Sequence, residues 1–299
     1  MRPAGGAPPS AAGRGDIVKQ PVIVGVDGTP DSLHAAGWAA DEARRRGAPL
    51  LLLHGHEPAL LGDADRERQA AEHALHDALT QLREQHPDLE ARAELVARPE
   101  AELLTERGRE AGMIVLGSRR PGPVAGFLLG SVGLRVVSRT PCPVVMVRGG
   151  EAVHRPPKGA VVAGVPPEED EATAVLDFAF ETAAVNGVPL RAARAWALPT
   201  LLPNRTGVLG LSDRPDELDA EHRRKLVRLL KPWRRRYPDI AVTEHVERGF
   251  AADMLVNLAA GARLLVVGRS STPGSRYVGH VVHATLHFAN APVAVVPTR

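Results

Sequence analysis

Short runs of apolar residues alternate along this chain with longer stretches in which apolar side chains return every three or four positions. The first runs, near 21 to 26, 49 to 55, 90 to 96, 113 to 117 and 143 to 147, are almost continuous in Val, Ile and Leu. That pattern belongs to strands covered on both faces. Between them, amphipathic stretches near 31 to 46, 65 to 86, 99 to 111 and 131 to 139 predict helices. Five strands interleaved with four helices read as βαβ units on a parallel sheet.

The same order then begins again, and sliding the chain against itself reveals a duplicated domain. Val22-Ile23-Val24-Gly25-Val26 matches Val161-Val162-Ala163-Gly164-Val165, and Arg46-Gly47-Ala48-Pro49-Leu50 matches Asn186-Gly187-Val188-Pro189-Leu190. Gly112 to Gly117 matches Ala262 to Gly268 with one adjustment, and Pro141 to Val147 matches Asn290 to Val296. The expected organisation is a disordered leader over 1–16, a first domain over 17–148, a linker over 149–158 and a second domain over 159–298. Gly149, Gly150, Pro156 and Pro157 mark the linker.

Composition agrees with two ordinary cores: 299 residues, 44% of them hydrophobic, suit two domains. The net charge of +2 is nearly balanced, and the basic residues are arginines apart from Lys19, Lys158, Lys225 and Lys231. A coding bias explains that skew, so a sequence pI near 9.0 is no argument for nucleic acid. The single cysteine, Cys142, excludes an intramolecular disulfide framework and fits a reducing compartment. No apolar run approaches the roughly 18 to 20 residues needed to span a bilayer, and the leader lacks the apolar segment of a secretion signal. A cytoplasmic protein without a membrane partner is expected.

In an open doubly wound sheet a ligand lies beyond the carboxyl ends of the strands, where strand order reverses. After the first strand stands Asp27-Gly28-Thr29-Pro30, an acid and a glycine in a turn before a helix. After the fourth comes Gly117-Ser118-Arg119-Arg120, a loop with Gly122 and Gly126, then Gly130-Ser131 opening the last helix. Glycines admit a phosphate to the backbone, and a helix N-terminus favours an anion. Ser131 adds a hydroxyl and Arg119 or Arg120 a charge. Singly, Asp27 reads as a turn acid and Gly130-Ser131 as an ordinary helix cap; together they point to a phosphate site. Neither a Walker loop nor a Gly-x-Gly-x-x-Gly after the first strand is present.

At these residues the sequence resembles the universal stress protein family in tandem form, over about residues 17 to 298. The family signature is Gly-x-x-Gly, nine residues, then Gly-Ser or Gly-Thr; Gly117 and Gly130-Ser131 fall at that spacing, with Arg120 replacing the second glycine. Gly126 to Val132, Pro141 to Val144 and Val24 to Gly28 also look like the family. The resemblance implies two tandem doubly wound, Rossmann-like α/β domains, each a five-stranded parallel sheet flanked by helices. It implies ATP in the first domain, with or without Mg²⁺, held by Asp27, Gly55 after His54, Leu116, Gly117, Gly130, Ser131 and Val132. Arg120 either blocks the close approach that glycine allows or binds phosphate through its guanidinium. The resemblance further implies that Val144 to Val147 and Val293 to Val296 pair within the chain, which removes an open edge. Whether two chains then form a homodimer is left open.

The second copy departs from this pattern, with Pro166 in place of Asp27, Ser271 in place of Arg120, a shorter loop, and Gly279-His280 in place of Gly130-Ser131. Losing two charge-assisted contacts costs roughly 3 to 6 kcal/mol, or two to four decades of affinity. No ATP is expected there.

Other constellations are weaker. His280, His283 and His287 recur at helical spacing, but helix positions seven apart lie about 10 Å from each other, too far to share one ion. His54 and His56 share a strand face and suit a surface or ligand pocket. The basic stretch from Arg223 to Arg236 suggests nucleic acid, yet Leu226, Leu229, Leu230, Trp233 and Tyr237 make it the solvated side of an amphipathic helix that Pro232 threatens to kink. No Gly-x-Ser-x-Gly elbow and no Cys and His pair suggests nucleophilic catalysis. The expectation is a stress-response, adenine-nucleotide-binding regulatory protein with protein partners. The alternatives are a nucleotide-free scaffold or interaction module, and a slow ATPase.

Overall fold

The computed structural model describes residues 19–56, 64–118, 130–149, 159–197, 215–270 and 278–298. The leader, all of the linker but Gly149, and residues 119–129, with Arg119 and Arg120, lie outside the described residues. The first copy runs β1 (Val22–Gly25), α1 (Pro30–Arg46), β2 (Leu50–Gly55), α2 (Ala64–Gln85), β3 (Ala91–Val96), α3 (Glu100–Arg107), β4 (Met113–Ser118), α4 (Ser131–Arg139) and β5 (Val144–Arg148). The second runs β6 (Val161–Gly164), α5 (Glu169–Asn186), β7 (Leu190–Trp196), α6 (Pro215–Arg236), β8 (Val242–Arg248), α7 (Ala251–Leu258), β9 (Leu264–Ser270), α8 (His280–Phe288) and β10 (Val293–Thr298).

Both copies join one ten-stranded sheet of order β3-β2-β1-β4-β5-β10-β9-β6-β7-β8. Every described pairing is parallel except the seam, where β5 and β10 run antiparallel with Val145 opposite Ala294. The seam is the pairing of fifth strands that the resemblance implied. It falls where the two sequence repeats meet, so the sheet carries a pseudo-twofold relation between its halves.

Strand alternation divides the core into two layers. Val22, Val24, Leu50, Leu52, Met113 and Val115 face α1, α2, α5 and α6. Ile23, Leu51, Leu53, Ile114 and Leu116 face α3, α4, α7 and α8. Each layer includes residues of both copies, so burial links the halves on both faces of the sheet.

Local chemistry sets the helix ends. Thr29 caps α1 by accepting from the Ser32 N–H at 3.3 Å, Pro30 opens the helix, and Gly47 closes it at φ 58°. Gly187 closes α5 at φ 61°, and the left-handed conformation explains the Gly-x-Pro punctuation shared by the two copies. Buried alanines at 35, 36, 39, 40 and 43 give α1 a small-residue face on the sheet.

Helix α6 runs unbroken through Pro232. The carbonyl that loses its donor belongs to Arg228, which is exposed. Leu226, Leu230 and Trp233 are buried on the opposite side, and Trp233 Nε1 donates to Asp177 Oδ1 at 2.8 Å. Packing thus outweighs the local penalty. The basic residues Arg223, Arg224, Lys225, Arg228, Lys231, Arg235 and Arg236 are exposed.

Polar contacts reinforce the seam on both sides of the sheet. On one face Arg46 of α1 donates to Glu181 Oε1 and Thr182 Oγ1 of α5, each at 2.8 Å. Its Nε donates to the buried Glu42 at 2.8 Å, and its guanidinium lies 5.4 Å from the Phe178 ring centroid. On the other face the C-termini of α4 and α8 receive arginines from the opposite copy. No helix among the described residues is long and apolar enough to cross a membrane.

Candidate functional site

Strand order reverses in the first copy between β1 and β4, and a crevice opens at their carboxyl ends. Asp27, Leu116, Gly117, Gly130, Ser131 and Val132 line it together. Six of the residues implicated by sequence are thereby brought to one place. Gly55 is not among the lining residues; it packs at the end of β2, where a Cβ would lie 2.4 Å from the Glu100 Cα. Arg120 lies outside the described residues.

Asp27 follows β1 and has a structural duty. Its Oδ1 accepts from the Thr29 N–H at 3.0 Å and from the Thr29 hydroxyl at 2.6 Å. This is an Asx-type turn that sets up the cap of α1. The turn reading of Asp27 is therefore real, and it coexists with a place in the crevice wall. Gly117 is needed for close packing, since a Cβ there would stand 2.6 Å from the Asp31 carbonyl oxygen. The first turn of α1 thus lies directly against the end of β4.

Helix α4 aims its N-terminus at the crevice. Its cap is Gly130, at φ −59° and ψ 155°, with no side-chain cap bond, and Ser131 is the first helical residue. A Cβ on Gly130 would meet no described atom within 4 Å. Neither backbone conformation nor described packing requires glycine there. The first-turn N–H groups of α4, which have no partner within the helix, are thus turned toward the crevice.

Sequence reasoning missed four lining side chains: Thr29, Asp31, Ser32 and Glu100. Glu100 opens α3 just past the carboxyl end of β3, and Asp31 stands in the first turn of α1. Both follow strand ends, so extending the strand-end rule one helical turn would have found them. The crevice therefore carries three carboxylates, from Asp27, Asp31 and Glu100, and no cation among its described lining residues. Beside it, burial pushes the His54 imidazole below its usual range, partly offset by the Val26 backbone and the Asp27 charge. His54 Nδ1 has no hydrogen-bond partner among the described residues.

The corresponding place in the second copy is built differently. Pro166 stands where Asp27 does, and Arg194 stands where His54 does. Arg194 is only 8% exposed, and its Nη2 donates to the Pro166 carbonyl at 2.5 Å. The cation thus covers the end of β6 that the first copy leaves beneath its crevice. Next along β7, Trp196 stacks on His222 at 5.0 Å and donates to Asp219. His280 is the exposed first residue of α8. The His283 and His287 rings lie 4.3 Å apart, and among the described residues no group of three or more His, Cys, Asp or Glu side chains is arranged to hold a metal.

Sheet order and the switch-point crevice define a tandem doubly wound α/β protein. The sequence profile of the universal stress protein family matches residues 19–148 and 161–297. The chain belongs to the universal stress protein family. It is similar to universal stress protein Rv2005c of Mycobacterium tuberculosis, 34% identical over 292 residues that cover 92% of this chain and 96% of the relative. It is similar in fold to a universal stress protein of Archaeoglobus fulgidus, with TM-score 0.68, 16% identity, and coverage of 93% of this chain and 98% of that one. A shorter universal stress protein of Archaeoglobus fulgidus, solved in complex with dAMP, matches 44% of this chain and 98% of its own (24% identity, TM-score 0.36).

Proposed function

We propose that this universal stress protein binds one adenine nucleotide, ATP in the first instance, in the crevice of its first copy, and acts in the cytoplasm as a nucleotide-responsive regulatory protein. The observation that carries this reading is the convergence of Asp27 and the first turn of α4 on one switch-point crevice. The nucleotide would supply a base and ribose at one end and a charged phosphate tail at the other. Ser131, Val132 and Gly133 would offer N–H groups to phosphate oxygens, and Ser131 a hydroxyl. Gly130, whose Cβ position has no described atom within 4 Å, supports close approach. Asp27, already held by Thr29, would accept from the sugar or base.

The three carboxylates lining the crevice constrain the ligand's form. A polyphosphate beside them needs compensating charge, which points to Mg²⁺ accompanying the nucleotide or to Arg119 and Arg120 in the adjoining loop. The same carboxylates favour the competing reading of a nucleotide-free scaffold. In the second copy, Pro166 supplies no carboxylate and Arg194 covers the strand end, which supports one ligand per chain.

Calorimetry with ATP, ADP, AMP and cyclic AMP, with and without Mg²⁺, tests the proposal, together with mass spectrometry of nucleotide released from purified protein. One nucleotide per chain is expected. Two per chain would overturn the asymmetry, and no heat with no bound nucleotide would leave the scaffold reading standing.

A further inference from the structure

Helix α4 is shared between the two copies. Its N-terminal turn lines the crevice of the first copy, while its C-terminal carbonyls are held by the second. Arg269, on β9, donates through Nη1 to the Ser138 carbonyl and through Nη2 to the Thr140 carbonyl, both at 2.8 Å. Thr140 is the C-cap of α4. The opposite copy receives a similar contact, since Arg148 at the end of β5 donates to the Leu286 carbonyl at 2.9 Å near the C-terminus of α8. The two arginines are not repeat equivalents. In register with Arg269 the first copy has Ser118, and in register with Arg148 the second copy has Pro297.

We infer that Arg269 is a positioning residue for the nucleotide site of the other copy, holding α4 so that its first-turn N–H groups are ordered before ligand arrives. This rests on the nucleotide reading above. Two arguments support it. A nine-residue helix is only about 13 Å long, so fixing its C-terminus fixes the direction of its N-terminus. A cation at the C-terminus also offsets the negative end of the helix dipole, leaving the positive end to dominate at the crevice. Ordering the helix in advance removes a cost that the ligand would otherwise meet. The second copy thus contributes to binding without a ligand of its own.

Arg148 supplies a matched control, because it makes the same kind of cross-copy contact with carbonyls of α8. Arg269→Met removes charge and donors while keeping side-chain length. It is expected to weaken ATP binding about three- to tenfold, while Arg148→Met stays within about twofold of the parent. Arg269→Lys keeps the charge and one donor direction, and should recover most of the loss. Unchanged affinity in Arg269→Met, or equal weakening by Arg148→Met, would overturn the inference, the second because it marks a general loosening of the seam. Hydrogen exchange without nucleotide provides a separate arm. Backbone amides of α4 should exchange faster in Arg269→Met and those of α8 in Arg148→Met; unaltered exchange across α4 in Arg269→Met overturns the positioning role even if the protein binds no nucleotide.

Discussion

A side chain on Gly117 would collide with the backbone of Asp31, since the Cβ position lies 2.6 Å from that carbonyl oxygen. The end of β4 and the start of α1 are in backbone contact, and this closeness brings both strand ends to one crevice. Gly117→Ala must push α1 outward and is expected to cost about 1 to 3 kcal/mol of stability. Gly130→Ala behaves oppositely, because the backbone suits alanine and the Cβ meets no described atom within 4 Å. Its stability should stay within about 0.5 kcal/mol of the parent, while nucleotide affinity falls. Urea denaturation paired with calorimetry on both variants separates the packing glycine from the ligand-facing one.

Asp27 holds the turn before α1 and, in the proposed complex, also meets the nucleotide, and isosteric substitution divides the two. Asp27→Asn retains an acceptor for the Thr29 N–H and hydroxyl, so the melting temperature should change little. Losing the charge-assisted contact to nucleotide should weaken binding by roughly tenfold or more. Asp27→Ala loses both and should also destabilise by about 1 kcal/mol, the usual worth of such a turn contact.

His54 gives the fold a pH dependence of definite sign. Burial lowers its pKa from the ordinary 6.5, so between that value and the lower folded one the unfolded chain binds more protons. The stability contribution is complete above the ordinary value and is lost as pH falls through this window. Melting temperatures followed from pH 8 to pH 5 should show a decline below about 6.5 that is shallower in His54→Gln.

Arg46 joins the copies on the face opposite the Arg269 contact. Arg46→Met strips the buried Glu42 of its 2.8 Å partner and removes the bonds to Glu181 and Thr182. Asn186 still reaches Glu42 at 3.2 Å, which moderates the loss to about 2 to 4 kcal/mol. Because both hydrophobic layers include both copies, the variant should unfold in one transition shifted to lower denaturant. Two separated transitions in fluorescence and circular dichroism would contradict that cooperativity.

The strands and helices were legible because their signals are local and strong. Runs such as Leu50 to Leu53 suit a doubly covered strand, and the repeated Gly-x-Pro after α1 and α5 marked the same turn twice. Helix α6 was less legible, since Pro232 is a local breaker whose cost is set by burial of Leu230 and Trp233. In the site, Asp27 and Ser131 were visible at strand and helix ends, whereas Asp31 and Glu100 lie one helical step further on. The arginine contacts across the seam left no trace in the pattern. Arg269 meets Ser138 across 131 residues of chain, and a polar residue at a strand end looks the same whether it faces solvent or a helix terminus.

Covalent joining of β5 to β10 in one chain changes what variation can do. When two identical subunits meet edge to edge, every substitution is written into both halves at once, and neither can lose its pocket alone. In this chain the antiparallel seam forms at any concentration, and the halves are separate stretches of one sequence. One half is then at liberty to place Pro166 and Arg194 where the other has Asp27 and His54, while its neighbour keeps the open crevice.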